Sequence, residues 1–256
     1  MIKITSDCDP SLVSPDLNCV QLIVKRVFAD KEIKDAELSF RKAIKFKPFY
    51  SEAYFNLGNI LKDIGNLQEA ESSCRKAIEL NPNYAKAYSN LGNILNDIGN
   101  LQEAESSCRK AIELNPALAE AHYNLGNILQ DLDKLQEAEL SYRKVIELNP
   151  DLAIAHYNLG DILINLGRLR DAEISTRKAI KLNPDLAVAH CILGYILSEF
   201  GKLQEAEIST RKAIELNPDL AIAHCNLGNV FKNLGKLQEA ELSTRKAIEL
   251  NPDLAI

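Results

Sequence analysis

The chain of 256 residues has no tryptophan, a single methionine and only 6% aromatic residues, so its core must be assembled from aliphatic and small side chains. Basic residues are outnumbered: 30 Lys and Arg stand against 36 Asp and Glu, for a net charge of −6. That balance argues against a nucleic-acid partner, which needs clustered cations to replace phosphate counterions. No apolar run approaches the ~20 residues needed to span a bilayer. The opening MIKITSDCDPSLVSPD lacks the basic segment and apolar stretch of a secretory signal. No GxSxG, HExxH, GxxxxGK[ST] or GxGxxG string occurs, and no CxxC pair. These absences point to a soluble cytoplasmic protein with no membrane contact, no cofactor, no metal and no catalytic constellation.

What is present is a period. Pro48, Pro82, Pro116, Pro150, Pro184, Pro218 and Pro252 stand 34 residues apart, and one pattern recurs between them. A fixed period of this length predicts a stacked array in which each unit packs on its neighbours. The six cysteines follow the same logic. Cys74 and Cys108 share one register, Cys191 and Cys225 another, and Tyr142, Thr176, Thr210 and Thr244 replace the first pair elsewhere. Such residues are interchangeable packing groups, expected to be reduced thiols.

Each unit predicts two helices. Over Ser51–Tyr84, Ala53, Leu57, Ile60 and Ile64 recur at three- and four-residue steps, beside Tyr54, Gly58 and Leu61. Gly65 ends this helix in the left-handed conformation that glycine accepts. Asn66, with Glu69 three residues on, is placed to cap the second helix, although Lys202 and Lys236 stand there later. Leu67, Ala70, Cys74, Ala77 and Ile78 form the second apolar face, and Pro82 pushes its predecessor out of helical geometry. Gly58, Ala70 and Ala77 are small enough to let the two backbones approach; Val145 is a bulkier exception. Glu71–Arg75 through Glu241–Arg245 form exposed i,i+4 pairs, each contributing roughly 0.2–0.5 kcal/mol.

The spacing of Tyr54, Leu57, Gly58, Leu61, Ala70, Ala77 and Pro82 resembles the tetratricopeptide repeat (TPR), as in bacterial TPR arrays. It recurs in full six times, over 51–84, 85–118, 119–152, 153–186, 187–220 and 221–254. Cys74 departs from the usual aromatic, and Asp133 from the glycine between helices. Residues 1–16 read as a leader. Residues 17–50 read as a degenerate first repeat, in which Ala36, Phe40, Ala43 and Pro48 fit a second helix while Val24 stands where glycine is expected. Residues 255–256 read as the start of a truncated further repeat. The resemblance implies an all-α fold: a right-handed superhelical solenoid of helix-turn-helix units whose first helices line the concave surface.

On the first helices, the stripe opposite the core carries a ladder of asparagines. One rung holds Asn56, Asn90, Asn124, Asn158 and Asn226; the other holds Asn59, Asn93, Asn127 and Asn229, with Asp161 in the fourth repeat. Asparagine is several tenths of a kcal/mol worse than alanine inside a helix, so its repetition suggests a use. Carboxamides can bind the N–H and C=O groups of an extended peptide. A similar ladder lines the repeat region of O-GlcNAc transferases, where it holds peptide substrates. The competing account is that these amides bond between neighbouring repeats, or are copied by duplication, since 201–222 and 235–256 differ at a single position. Toward the C-terminal half the same wall turns apolar: Glu52, Lys86 and Glu120 give way to Ile154, Val188 and Ile222, and Ile192, Tyr195 and Ile164 add to the patch.

Other readings carry less. His122, His156, His190 and His224 share the register of Tyr54 and Tyr88 and are expected to pack as aromatics on the inner edge of the first helix. Stacked repeats would hold them too far apart for one metal. A clamp for a C-terminal carboxylate, known in this family, would need cations where Gln21 and Asn90 stand, although Asn56 and Lys86 match two of its places. The final Asn251-Pro252-Asp253-Leu254-Ala255-Ile256 opens another first helix, so a cut-off array is expected. Three functions follow: a non-catalytic scaffold binding protein or peptide segments in the groove, a substrate-recruiting module of a larger glycosyltransferase or sulfotransferase, or an array self-associating through its uncovered last face.

Overall fold

The computed structural model describes the backbone of residues 17–255 and the side chains of residues 32–253, so the 1–16 leader, the side chain of Gln21 and residue 256 lie outside what is described. Among the described residues every regular element is helical. The chain divides into two compact units, Met1–Pro82 and Asn83–Ile256.

The first unit holds α1 (Leu17–Phe46), α2 (Ser51–Asp63) and α3 (Leu67–Leu80). Ala53, Leu57 and Leu61 of α2 are buried with Ala70, Cys74 and Ala77 of α3, the two faces the periodicity predicts. Arg41 on α1 reaches Glu69 on α3 at 2.7 Å and Glu37 on its own helix at 2.8 Å. The segment expected to form a helix pair over 17–50 is instead one continuous helix. Lys31 stands in the register of the turn residue Gly65, and a lysine pays a left-handed penalty that glycine does not, so the helix runs on.

The second unit is a stack of five pairs: α4 (Ala85–Ile98) with α5 (Leu101–Leu114), α6 (Ala119–Asp131) with α7 (Leu135–Leu148), α8 (Ala153–Asn165) with α9 (Leu169–Leu182), α10 (Ala187–Glu199) with α11 (Leu203–Leu216), and α12 (Ala221–Asn233) with α13 (Leu237–Leu250). The second helices α5, α7, α9 and α11 also pack on the first helix that follows each of them. Val230 of α12, for example, is buried with Leu193 and Leu197 of α10 and Ala206 of α11, with Ile180 of α9 against the cluster. Burial of each such side chain stabilises by roughly 1.5–3 kcal/mol, which isolated pairs could not gain.

The turns follow the sequence. Gly65 has φ +80, and Asp133, which replaces a glycine, still adopts φ +57; aspartate is among the few residues that tolerate this region. The residues before the repeated prolines are pushed out of helical geometry, as in Asn81 at φ −140, ψ 89. The expected cap at Asn66 is corrected. Its amide donates to Glu69 at 2.9 Å and makes no cap bond to the helix, and Asn100 does the same with Glu103. A cap would need the amide oxygen to accept a helix N–H, whereas here the side chain is oriented by its amide N–H group, which makes a charge-assisted bond to the carboxylate.

The small-residue expectation holds at the closest approach. A Cβ on Gly126 would lie 2.8 Å from the Tyr142 ring, and one on Gly92 3.0 Å from the Ala104 carbonyl oxygen. The exposed Glu–Arg pairs form as expected, including Arg75–Glu71 and Arg177–Glu173, both 2.8 Å. They are also tied across repeats, by Lys134–Glu105 at 2.8 Å, Arg168–Glu139 at 2.8 Å and Lys236–Glu207 at 3.1 Å. No described helix is long and apolar enough to cross a membrane.

Candidate functional site

In the second unit α4 packs on α6, α8 on α10 and α10 on α12, so these first helices share one wall. Positions four apart on a helix meet on one face, which puts two columns side by side. One is the predicted Asn93, Asn127, Asp161, Tyr195, Asn229 column. The other is Ser89, Tyr123, Tyr157, Cys191, Cys225, of which the sequence pattern singled out the two cysteines as packing groups and not as part of a wall.

The rung formed by Asn90, Asn124, Asn158 and Asn226 is turned largely into the stack. Asn90 and Asn124 are only 5% and 6% exposed. Asn124 Nδ2 donates to the Ser89 carbonyl at 3.3 Å and to Ser89 Oγ at 3.1 Å, tying α6 to α4. Asn226 Nδ2 repeats this on the Cys191 carbonyl and Sγ, at 3.4 and 3.3 Å, tying α12 to α10. Asn158 Nδ2 reaches the Tyr123 hydroxyl at 3.3 Å and Asn127 Oδ1 at 3.4 Å. The donor half of each of these three amides is therefore committed inside the stack, and the acceptor half remains.

Between α6 and α8 a polar chain fills the wall. Tyr142, fully buried at the register of Cys74, sends its hydroxyl past Gly126 to Asn127 Oδ1 at 2.7 Å. Gln130 Oε1 accepts from the same hydroxyl at 3.3 Å, and Gln130 Nε2 donates to Asp161 Oδ2 at 2.9 Å. Asn93 is half-buried and Asn229 exposed. In the first unit, Asn56 and Asn59 of α2 are both half-buried.

Beyond Asp161 the wall opens into a cavity of about 300 Å³. Tyr157, Asp161 and Ile164 of α8, Val188, Cys191, Ile192 and Tyr195 of α10, and Ile222 and Asn226 of α12 line it. Of the predicted apolar patch, Ile164, Val188, Ile192, Tyr195 and Ile222 meet in this pocket while Ile154 is not among its lining residues, and half-buried Asp161 is the one formally charged lining residue. Burial pushes the Asp161 carboxyl above the usual range, opposed by the Gln130 hydrogen bond. Burial likewise raises the Tyr157 hydroxyl and the Cys191 thiol, each to about 12. Cys191 is therefore a neutral thiol at physiological pH, a packing group and not a nucleophile. Cys74, Cys108, Cys191 and Cys225 are in no disulfide.

The histidines lie elsewhere than expected. His122 and His156 turn toward the second helices and line outer grooves of about 460 and 500 Å³, the first with Ile112, Leu125 and Leu140, the second with Ile146, Leu159 and Ile174. They sit three residues before Leu125 and Leu159, hence on the face those leucines share with the second helices. Each ring Nε2 donates to the carbonyl of the proline six residues earlier, at 2.9 Å in all four repeats, and so pins the inter-repeat turn. The rims of the outer grooves are neutralised in pairs such as Arg143–Glu139 and Lys144–Glu147. The inner cavity is smaller than these two grooves, and unlike them it joins an apolar floor to a carboxylate that no described cation pairs.

Models of the tetratricopeptide repeat match residues 51–84, 85–118, 119–152 and 221–254, more than half of the chain. The chain belongs to the tetratricopeptide repeat family. Further TPR models match residues 153–186 and 199–235. Residues 187–198, which carry Ile192 and Tyr195, lie outside these matches. No curated protein sequence matches this TPR chain. Among solved structures it is similar to YrrB, a TPR protein with an unusual peptide-binding site, at 28% identity and TM-score 0.59 over 72% of this chain and 94% of that one. PilF of Pseudomonas aeruginosa shares the fold at 20% identity and TM-score 0.71, over 79% of this chain and 92% of that one. A chain of the APC/C hetero-tetramer Cut9–Hcn1 does so at 15% identity and TM-score 0.74, over 93% of this chain and 47% of that one.

Proposed function

We propose that this TPR array is a non-catalytic protein-interaction scaffold that holds an extended peptide segment along the inner wall of α4, α6, α8, α10 and α12. The observation that carries this reading is the cavity spanning α8, α10 and α12, where three repeats present apolar side chains at one place. Concave sites with an apolar floor and few polar groups are the usual form of a binding pocket. About 300 Å³ is room for one or two side chains, not for a folded domain. Along the polar half, the free oxygens of Asn124 and Asn158, with Asn93, would accept backbone N–H groups from the segment. YrrB, the similar TPR protein with a peptide-binding site, supports the same class of ligand.

The test is peptide affinity of the full chain by fluorescence anisotropy, with Ile192→Asn/Tyr195→Asn compared with Ile174→Asn on the outer face. Loss of about tenfold or more in the inner variant alone is expected. Equal affinity of the inner variant and the unmodified chain, at unchanged helicity, would remove the pocket from the account.

A further inference from the structure

The inner pocket has a polarity of its own. Its floor, from Ile164, Val188, Ile192 and Ile222, is aliphatic, and its one formal charge is the Asp161 carboxylate. Gln130 engages Oδ2, and Oδ1 accepts no side-chain hydrogen bond among the described residues. Asn226 turns its amide hydrogens onto Cys191, so what it offers the pocket is an oxygen. The other charges on α6, α8, α10 and α12 are Glu120 and Asp131 on α6 and Glu199 at the end of α10, against one lysine, Lys232, on α12. An acidic segment would meet these carboxylates with no cation among the lining residues. A cationic one would relieve a carboxylate that burial makes costly to leave unpaired.

Resting on the peptide-binding reading above, we propose that the site selects a segment in which a large apolar side chain lies within a few residues of a lysine or arginine. The apolar group fills the pocket and the cation donates to Asp161. The two elements separate the work. Burial of the anchor gives affinity, and the charge-assisted hydrogen bond at the rim gives discrimination against acidic and neutral segments. The polarity is the reverse of a carboxylate-gripping clamp, and none of the residues lining the pocket is a cation.

The experiment is selection by the full chain from short randomised peptides capped at both ends, followed by anisotropy titration of the enriched sequence. Capping ensures that any cation read is a side chain and not a terminal ammonium. The expected result is enrichment of an aromatic or aliphatic anchor accompanied by lysine or arginine. Exchange of that cation for glutamate should weaken binding at least about tenfold. Asp161→Asn keeps an oxygen for Gln130 and should abolish the distinction between the lysine and glutamate peptides while retaining the preference for the anchor. Enriched peptides indifferent to charge, or an Asp161→Asn protein that still prefers lysine, would overturn this inference and leave peptide binding standing. If no peptide is enriched, the reading beneath it fails as well.

Discussion

Replacing Asn124 by alanine separates two roles that the asparagine ladder could play. Asn124 is 6% exposed, and its Nδ2 bonds Ser89 of the preceding repeat at 3.1 and 3.3 Å. Both bonds come from one nitrogen and are long, so together they are worth about one ordinary hydrogen bond, ~1 kcal/mol net. Truncation also leaves a small void between α6 and α4, adding a comparable amount. Against this, alanine is several tenths of a kcal/mol better than asparagine inside a helix. The expected balance is a loss of about 1 kcal/mol. Asn229, at the neighbouring rung, is exposed; Asn229→Ala should gain up to about 0.5 kcal/mol from propensity alone. Urea titration followed by circular dichroism measures both, with the slope checked because repeat arrays can lose cooperativity. An Asn124→Ala protein as stable as Asn229→Ala would refute the stacking role assigned to the first rung.

Gly126→Ala places a methyl 2.8 Å from a Tyr142 ring that is fully buried and tethered by its hydroxyl, so overpacking of about 1–3 kcal/mol should outweigh the gain in helix propensity. In a Tyr142→Ala background the same change should become neutral or stabilising, a coupling that a double-mutant cycle by urea titration reads directly. Glu105, held below the usual carboxylate range by Lys134 and then Arg109, contributes stability that is present above its unfolded pKa and lost as pH falls through the depressed folded one. Glu105→Gln should therefore lower the thermal midpoint at neutral pH by an amount matching less than about 1 kcal/mol, with the difference shrinking in acid and in high salt.

Much of the fold was legible because each repeat states it six times. The prolines, the small residues at Gly58, Ala70 and Ala77, and even Asp133 in the glycine register determine where helices end and how closely they approach. The continuity of α1 runs against the helix pair expected over 17–50, and the residue that bears on it is Lys31 at the turn register, not Val24. The apolar pocket was foreseeable from Ile192, Tyr195 and the isoleucines sharing a stripe. The direction of the asparagine amides was not. A helix face has two edges, and whether an edge meets solvent or the preceding repeat depends on the packing step between units. Tyr123, Tyr157 and Cys191 could have been found, because they stand four residues before Asn127, Asp161 and Tyr195. The Lys134–Glu105 and Arg168–Glu139 pairs join neighbouring repeats, so their formation depends on the same packing step.

The inner wall as the binding surface is tested most directly by isoleucine methyl resonances of the full chain during titration with a selected peptide. Ile164, Ile192 and Ile222 line the inner pocket, whereas Ile112, Ile146 and Ile174 line the outer grooves. The account predicts that the first three methyls shift on binding and the last three stay in place. Shifts confined to the outer methyls would contradict it.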